Sequence, residues 1–375
     1  MRGVYCYLPI LPARGGAFRA VAKLSPLARS RLIPLFDVPL RVPKNNETLE
    51  DYLTKRVEGI HAAWGRGRPV YVDVHDLALD LRTSSDAAPI TFLFDLLRMY
   101  SMSAIPVTGT ESERDRNYLH AIRAIIARDQ RGACLRLTED DFSDPQILRT
   151  SVVGVLEALA VGPPELDVVL DFRHVGKRSV DVLRATAHDA FEAINNVGPF
   201  RNIVIAGSSV PDVLGKRDHG KIRRESRVEL DLWIQLMTAL SDRVPIAFSD
   251  YGIVGAHYVP PGKPVNVPAR IRYTTTREHV YYRANHNEYP GICEQLIEST
   301  DFLDKNFSAG DRSIHKCANG TVGPGAPMDW VANDTNHHLE FVSEQIWRHL
   351  NESRLNSLFA LPEPEHLPWL QGELV

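Results

Sequence analysis

Apolar and polar residues alternate with period two over Pro69–Leu77, PVYVDVHDL: Val70, Val72 and Val74 fall on one face, Tyr71, Asp73 and His75 on the other. That alternation predicts a strand with one apolar face and one chemically active face. The same design recurs at Val4–Ile10, Leu32–Val38, Ala104–Thr108, Ala133–Leu137, Leu166–His174, Asn202–Ser208 and Pro245–Asp250. Helical spacing fills the gaps. After the Pro/Gly loop Leu11–Gly16 a short helix runs to about Ser30, and behind Asn46 as N-cap, Leu49, Leu53, Val57 and Ile60 form a stripe. Ile90–Tyr100, Glu111–Arg128 with its stripe Leu119, Ile122, Ile125 and Ile126, and Pro145–Ala160 continue the rhythm. Eight strands separated by helical segments predict an α/β fold of the (β/α)8 TIM-like barrel type, ahead of an open doubly wound sheet, which uses fewer strands.

The last third changes character. ARIRYTTTREHVYYRA, Ala269–Ala284, predicts a β-hairpin turning near Thr276–Glu278 and inserted after strand eight, beside the barrel mouth, where it would act as a lid or partner-binding element. A helix near Gly291–Phe302, an irregular Gly-, Asn- and Pro-rich segment over Phe307–Asn336, a closing helix over His338–Leu350 and an extended tail from Pro362 complete the pattern. The expected organisation is a barrel over 1–255, a hairpin insertion over 256–288, and C-terminal helices with an irregular segment over 289–375 that complete the barrel.

Composition narrows this reading only a little. The 375 residues, 44% hydrophobic and 24% charged, have ample material for a core, and a formal charge of −4 gives no global attraction to nucleic acid or acidic lipid. No apolar run approaches the roughly 20 residues that span a bilayer, so no membrane partner is expected. The opening MRGVYCYLPILPARGG alternates and is broken by prolines, so it reads as a strand rather than a signal peptide, with a cytoplasmic location the expectation. Cys6, Cys134, Cys293 and Cys317 lack CxxC spacing and read as buried free thiols.

CYLPILPARGGAFRAVAKLSP followed by RLIPLFDVP, the later RIRYTTTREHVYYRA, and FSAGDRSIHKCANG with MDWVANDTNHHLEFV resemble, as a set, the beta-protein family. These are phage-like proteins of prophages and bacterial genomes, frequent in mobile or phage-defence neighbourhoods. The resemblance covers most of the chain and implies a phage-conflict setting. It carries over no reaction.

Chemistry must therefore come from the strand ends, which face the active mouth in this fold. Alternation collects Asp37, Asp73, His75, Thr108, Arg136, Asp171, Arg173, Ser209 and Asp250 there. Asp37, Asp73, Asp171 and Asp250 form an oxygen set suited to Mg or Mn, with Zn less favoured, and Asp73, His75, Asp171, Arg173 and Arg136 are the catalytic candidates. A metal there would activate water while the arginines grip phosphate, so the chemistry expected is phosphoester hydrolysis on a nucleotide or nucleic acid. The competing reading is of ion pairs that orient loops. GxSxG, P-loop and GxGxxG signatures are missing.

Ser208, Ser209, Lys216 and Arg217, at the head of a basic run reaching Arg227, are candidate phosphate ligands after strand seven; a solvated loop is the plainer alternative. Tyr281, Tyr282 and Arg283 on the hairpin, with His337 and His338, are candidate lid or partner-binding residues; cross-strand packing and core hydrogen bonding compete. Adjacent histidines on a helix point apart, so at most one reaches the mouth. Three functions stay open: a metal-dependent phosphoesterase in a phage-defence or prophage system, a non-catalytic module that recognises a phage protein or a partner subunit encoded nearby, or nucleic-acid binding through the basic stretch.

Overall fold

The computed structural model describes residues 7–39, 47–78, 80–110, 116–211, 220–240, 246–256 and 267–360. Eight parallel strands are β1 (Ile10–Pro12), β2 (Leu35–Asp37), β3 (Pro69–Asp73), β4 (Ser103–Thr108), β5 (Ala133–Thr138), β6 (Leu166–His174), β7 (Asn202–Ser208) and, after β8 (Arg223–Ser226) of a second sheet, β9 (Ile246–Asp250). They neighbour one another in that order. Tyr7 bridges both Leu32 and Phe248, the Leu8 N–H donates to Phe248 O (2.9 Å) and Ser249 Oγ to Leu8 O (2.6 Å), so the sheet closes on itself. The first strand is displaced from the expected Val4–Ile10, of which Val4, Tyr5 and Cys6 lie outside the described residues. Pro9 has no N–H to offer the ladder, and regular pairing begins only after it.

Alternation decides what fills the barrel. Leu8, Ile10, Ile33, Leu35, Tyr71, Val107, Cys134, Val169, Val204 and Ala206 pack inside it. Phe36, Val70, Val72, Leu135, Leu170, Ile205 and Phe248 sit on the outer face beneath the helices. At the strand starts the interior is sealed by buried Asp167, which accepts from Tyr71 Oη (2.7 Å), Arg201 Nε (2.8 Å) and Asn202 Nδ2 (2.7 Å).

The outer ring comprises α1 (Gly15–Ala22) with α2 (Pro26–Arg31), α3 (Leu49–Trp64), α4 (Pro89–Met99), α5 (Arg116–Asp129), the short α6 (Glu139–Phe142) with α7 (Pro145–Leu159), α8 (Val180–Asn195) and α9 (Val228–Ala239). Asn46 lies outside the described residues; the cap seen on α3 is Thr48, in a reciprocal capping box with Asp51. The ring is completed by α12 (Pro327–Ala360), which packs on α1 and α2 after an insertion that contains α10 (Tyr289–Ile297) and α11 (Ala309–Ala318).

Of the segment expected to be irregular over Phe307–Asn336, the Gly- and Pro-rich stretch 319–326 is irregular, but α11 precedes it and the first turns of α12 follow it. Asn333, Asp334, Thr335 and Asn336 are weak helix formers because their side chains compete for backbone hydrogen bonds. Here tertiary partners engage them: Asn336 Nδ2 donates to Ala20 O (3.1 Å), and Asn336 Oδ1 and Asp334 Oδ2 accept the backbone N–H groups of Gly310 and Arg272 (3.0 Å each). Helix α11 crosses so closely that a Cβ on Gly310 would lie 2.2 Å from Asn333 O, which explains a glycine there.

The insertion carries a three-stranded antiparallel sheet in the order β10 (Arg270–Thr274), β11 (Glu278–Arg283), β8. Strand β8, RRES, has no apolar alternation, and sequence reasoning read it as part of a basic loop. Ile271, Tyr273, Val280 and Tyr282 pack one face of this sheet on Ile292, Cys293, Leu296, Ile314, Cys317 and Trp330. Register puts Arg270 opposite Arg283, Arg272 opposite Tyr281, Thr274 opposite His279, and Arg223 beyond Tyr281 on the other face. No helix among the described residues is long and apolar enough to cross a membrane.

Candidate functional site

At the strand ends the barrel gathers its charge around one guanidinium. Arg136 of β5 donates from Nε to Asp171 Oδ2 (2.8 Å), from Nη1 to Asp37 Oδ2 (3.0 Å) and Asp73 Oδ2 (2.9 Å), and from Nη2 to Tyr251 Oη (2.7 Å). Tyr251 Oη in turn donates to Asp171 Oδ2 (2.5 Å). The opposite carboxylate oxygens cap the loops that follow: Asp73 Oδ1 accepts the His75 N–H and Asp171 Oδ1 the Arg173 N–H (2.9 Å each). A strand-terminal aspartate thus turns the chain with one oxygen and holds the cation with the other. Asp37 departs from this pattern, because its Oδ1 is buried with no hydrogen-bond partner.

The electrostatics follow from this count. Burial raises the Asp37 carboxyl, Arg136 opposes the rise and Asp73 and Asp76 reinforce it, leaving it at about 7. Burial would lower Arg136, but Tyr251 and the three carboxylates hold it above the ordinary arginine range. The donor set fits a metal poorly. Asp37, Asp73 and Asp171 do converge, yet the point of convergence is Arg136, and the remaining oxygens of Asp73 and Asp171 are spent on backbone N–H groups. Among the described residues no three His, Cys, Asp or Glu side chains are grouped to hold an ion.

Asp250, the fourth expected oxygen ligand, lies elsewhere. It shares a face with Ile246 and Phe248, so it points out of the barrel toward α12, while Ala247 and Tyr251 face inward. The expectation of Asp250 in the mouth fails on strand parity, which gives the inward place to Tyr251. Asp250 Oδ1 accepts from Tyr7 Oη (2.7 Å) and the Gly252 N–H (2.9 Å), and Oδ2 from His338 Nε2 (2.9 Å). Against the burial that opposes it, His338, Tyr7 and Gly252 hold Asp250 down to about 2. Burial pushes the His338 imidazole below its ordinary value, so the neutral ring serves Asp250 through its Nε2–H, and Nδ1 accepts from Thr274 Oγ1 (2.8 Å).

His337 turns the other way, toward Asp311 Oδ2 (2.8 Å) and Thr274 O (2.9 Å), stacked at 3.8 Å on Tyr273. Both histidines are fully buried, so neither meets a ligand at the mouth. Tyr281 and Tyr282, at 2% and 1% exposure, and Arg283 at 9% likewise offer little surface to a partner. Cross-strand packing encloses them.

The expected phosphate loop after β7 is already engaged: the Ser209 N–H donates to Glu229 Oε2 (3.0 Å), and Ser208 Oγ accepts the Val210 N–H (3.2 Å). Lys216 and Arg217 lie outside the described residues. Arg227, at the end of the basic run, is fully buried under α12 and donates from Nη1 to Thr275 O (3.1 Å) and Gln345 Oε1 (2.7 Å). What the mouth does present is His75 and Arg173, both half-buried, with Arg173 Nη2 3.0 Å from His75 Nε2. Arg173 sits at φ +50°, a left-handed backbone that costs a branched-free side chain about 1 kcal/mol and aims this one across the mouth.

Comparison with known proteins gives one family. A family model described as Beta protein matches residues 7–344. No curated protein matches. Among solved structures, the alanine racemase of Clostridium difficile 630 in complex with cycloserine is similar at 8% identity and a TM-score of 0.33, over 75% of this chain and 65% of that one.

Proposed function

For a chain that belongs to the Beta protein family, we propose a recognition module of a phage-defence or prophage conflict system, acting in the cytoplasm and binding a phage protein or a partner subunit at the barrel mouth. One observation carries this reading: Arg136 occupies the point on which Asp37, Asp73 and Asp171 converge. Three carboxylates satisfied by a permanent cation brace a surface. They do not offer ligands to Mg or Mn, and Arg136, with donors committed to four oxygens, has little left for phosphate. Contact with a partner falls to His75 and Arg173.

The test is phage protection by cells carrying the His75→Ala/Arg173→Ala double variant. Protection should be lost while the purified variant keeps its thermal transition, and a tagged wild-type chain should retain a phage or neighbouring protein that the variant releases. Undiminished protection would end this reading. Asp37 supports a second one. A carboxyl held at about 7, with one buried oxygen that no hydrogen bond engages, is matched to general acid–base work at neutral pH. Turnover of bis(p-nitrophenyl) phosphate by the wild type, with or without added Mg or Mn, and its loss in Asp37→Asn, would replace recognition with phosphoester hydrolysis.

A further inference from the structure

The thiols of the insertion are nucleophiles that the barrel mouth does not use. Cys293 on α10 and Cys317 on α11 are both free, at 0% and 1% exposure, and share one apolar core with Ile292, Leu296, Ile314 and Trp330. They meet across the packed pair of helices, in side-chain hydrogen-bonding contact. Burial pushes both thiols above their ordinary range. Cys317 raises Cys293 further, whereas Cys293 lowers Cys317, so Cys293 keeps its proton and Cys317 is the sulfur that ionises first. Cys134 differs: it is fully buried inside the barrel among Val107, Val169 and Val204, with no other cysteine in its cluster.

A second observation concerns access. Cys317 lies in the last turn of α11, which ends at Ala318, and the residues that follow, 319–323, are exposed. That end is closed by the Gly320 N–H on Cys317 O (3.1 Å) and the Thr321 N–H on Lys316 O (2.9 Å). Backbone bonds at an exposed helix end open without global unfolding. Their opening bares Cys317 first, because Cys293 lies in the middle of α10.

We infer that Cys293 and Cys317 form a modification site, a dithiol that hydrogen peroxide converts to a reversible disulfide, with Cys317 the attacking sulfur and Cys293 the resolving one. The Cys317 thiolate attacks one peroxide oxygen, the O–O bond breaks, and the departing hydroxide takes up the proton that Cys317 gave up and leaves as water; the sulfur becomes a sulfenic acid. The Cys293 thiolate then attacks that sulfur, the S–O bond breaks, and hydroxide leaves with the Cys293 proton as a second water. Two thiols thus give two electrons and two protons to one peroxide. A bulky oxidant such as glutathione disulfide fits less well, since both sulfurs are enclosed. In a reducing compartment such a bond is transient, made when oxidant rises and removed by thiols afterwards. Its structural effect falls on α12. Helix α11 passes so close that a Cβ on Gly310 would meet Asn333 O, and Asp311 Oδ2 lies 2.8 Å from His337 Nδ1, so tying α11 to α10 fixes the helix on which α12 rests. The site uses no residue of the mouth and goes beyond the recognition reading.

Peptide mapping of the whole chain tests it. The native protein is exposed to hydrogen peroxide, alkylated after denaturation, digested without reductant and weighed by mass spectrometry. The peptides carrying Cys293 and Cys317 should appear joined and two hydrogens lighter than their sum, with the alkylated forms of both lost and then restored by dithiothreitol, while Cys134 stays alkylated throughout. The oxidised protein should melt about 4 °C higher than the reduced one, for closing a loop of about 25 residues in a chain of this size. Cys317→Ala should abolish that shift and leave Cys293 alkylatable; in Cys293→Ala, Cys317 should stop at the sulfenic acid, which dimedone traps. The map of the wild type needs no variant, so a poorly folded substitution leaves the test intact. Full alkylation of both thiols after a treatment that oxidises glutathione would overturn the inference. So would Cys317 carried to sulfinic or sulfonic acid without a cross-link, a bond from either thiol to Cys6 instead, or a cross-linked protein that melts no higher than the reduced one.

Discussion

The barrel mouth and the small sheet invert the same inventory. At the mouth three carboxylates close on one arginine; on the sheet Arg270 and Arg272 both act on one carboxylate, Asp334. In each place one aspartate, Asp37 or Asp334, is lifted by burial to about 7. At the mouth parallel strands deliver their C-terminal aspartates to one ring, and a long side chain from β5 reaches the centre of it. On the sheet antiparallel register sets Arg270 beside Arg283, and the acidic residue β8 brings to the same face, Glu225, is engaged by Arg223.

Removing the central cation should break this contrast most sharply. Arg136→Met strands three buried carboxylates and is expected to cost about 3–5 kcal/mol, read from the urea midpoint. Next comes Asp171→Asn, which keeps the cap on Arg173 but weakens the bonds to Arg136 and Tyr251, at about 2–3 kcal/mol by the same measurement.

Asp37→Asn has the opposite sign. The folded Asp37 holds its proton up to about pH 7 and the unfolded one releases it near 4, so the folded state binds more protons between those values. Stability from this group is therefore full below pH 4 and lost as pH rises through 7. The variant should match wild type at pH 4, exceed it by about 1–2 kcal/mol at pH 8, and flatten the melting-temperature profile between. A wild-type profile that rises over that window and is unaltered in Asp37→Asn would refute the assignment. The smallest effect belongs to the sheet. Arg270→Gln should fall within about 0.5 kcal/mol of wild type, read from the urea midpoint.

Much of the barrel was legible because its signal is local. β6 and β7 fall on the expected Leu166–His174 and Asn202–Ser208, and alternation alone turns Asp37, Asp73, Arg136 and Asp171 to the interior. What alternation could not reveal is that Arg136 reaches three other strands, since side-chain reach is a property of the closed ring. Asp250 needed the parity of Ile246 and Phe248, a signal present in the sequence. Tyr7, Asp311 and Asp334 gave no local sign, because their partners lie far along the chain. The first turns of α12, ahead of the expected His338–Leu350, were hidden for the same reason: α1, α11 and β10 engage the side chains of their Asn-Asp-Thr-Asn run.

The meeting of Tyr7 with Asp250 and His338 joins residues 243 and 331 positions apart. On a ribosome adding about 5–20 residues per second, the seam can pair once β9 has emerged, but the His338 contact on Asp250 that buttresses it waits until α12 has left the exit tunnel. Until β9 emerges the growing chain carries β1 as a bare edge, able to pair with a neighbouring nascent copy. Production of truncated forms that end before α12 should yield aggregates rather than a smaller barrel, and the yield of full-length protein should depend on chaperones that shield the chain over its last stretch of synthesis.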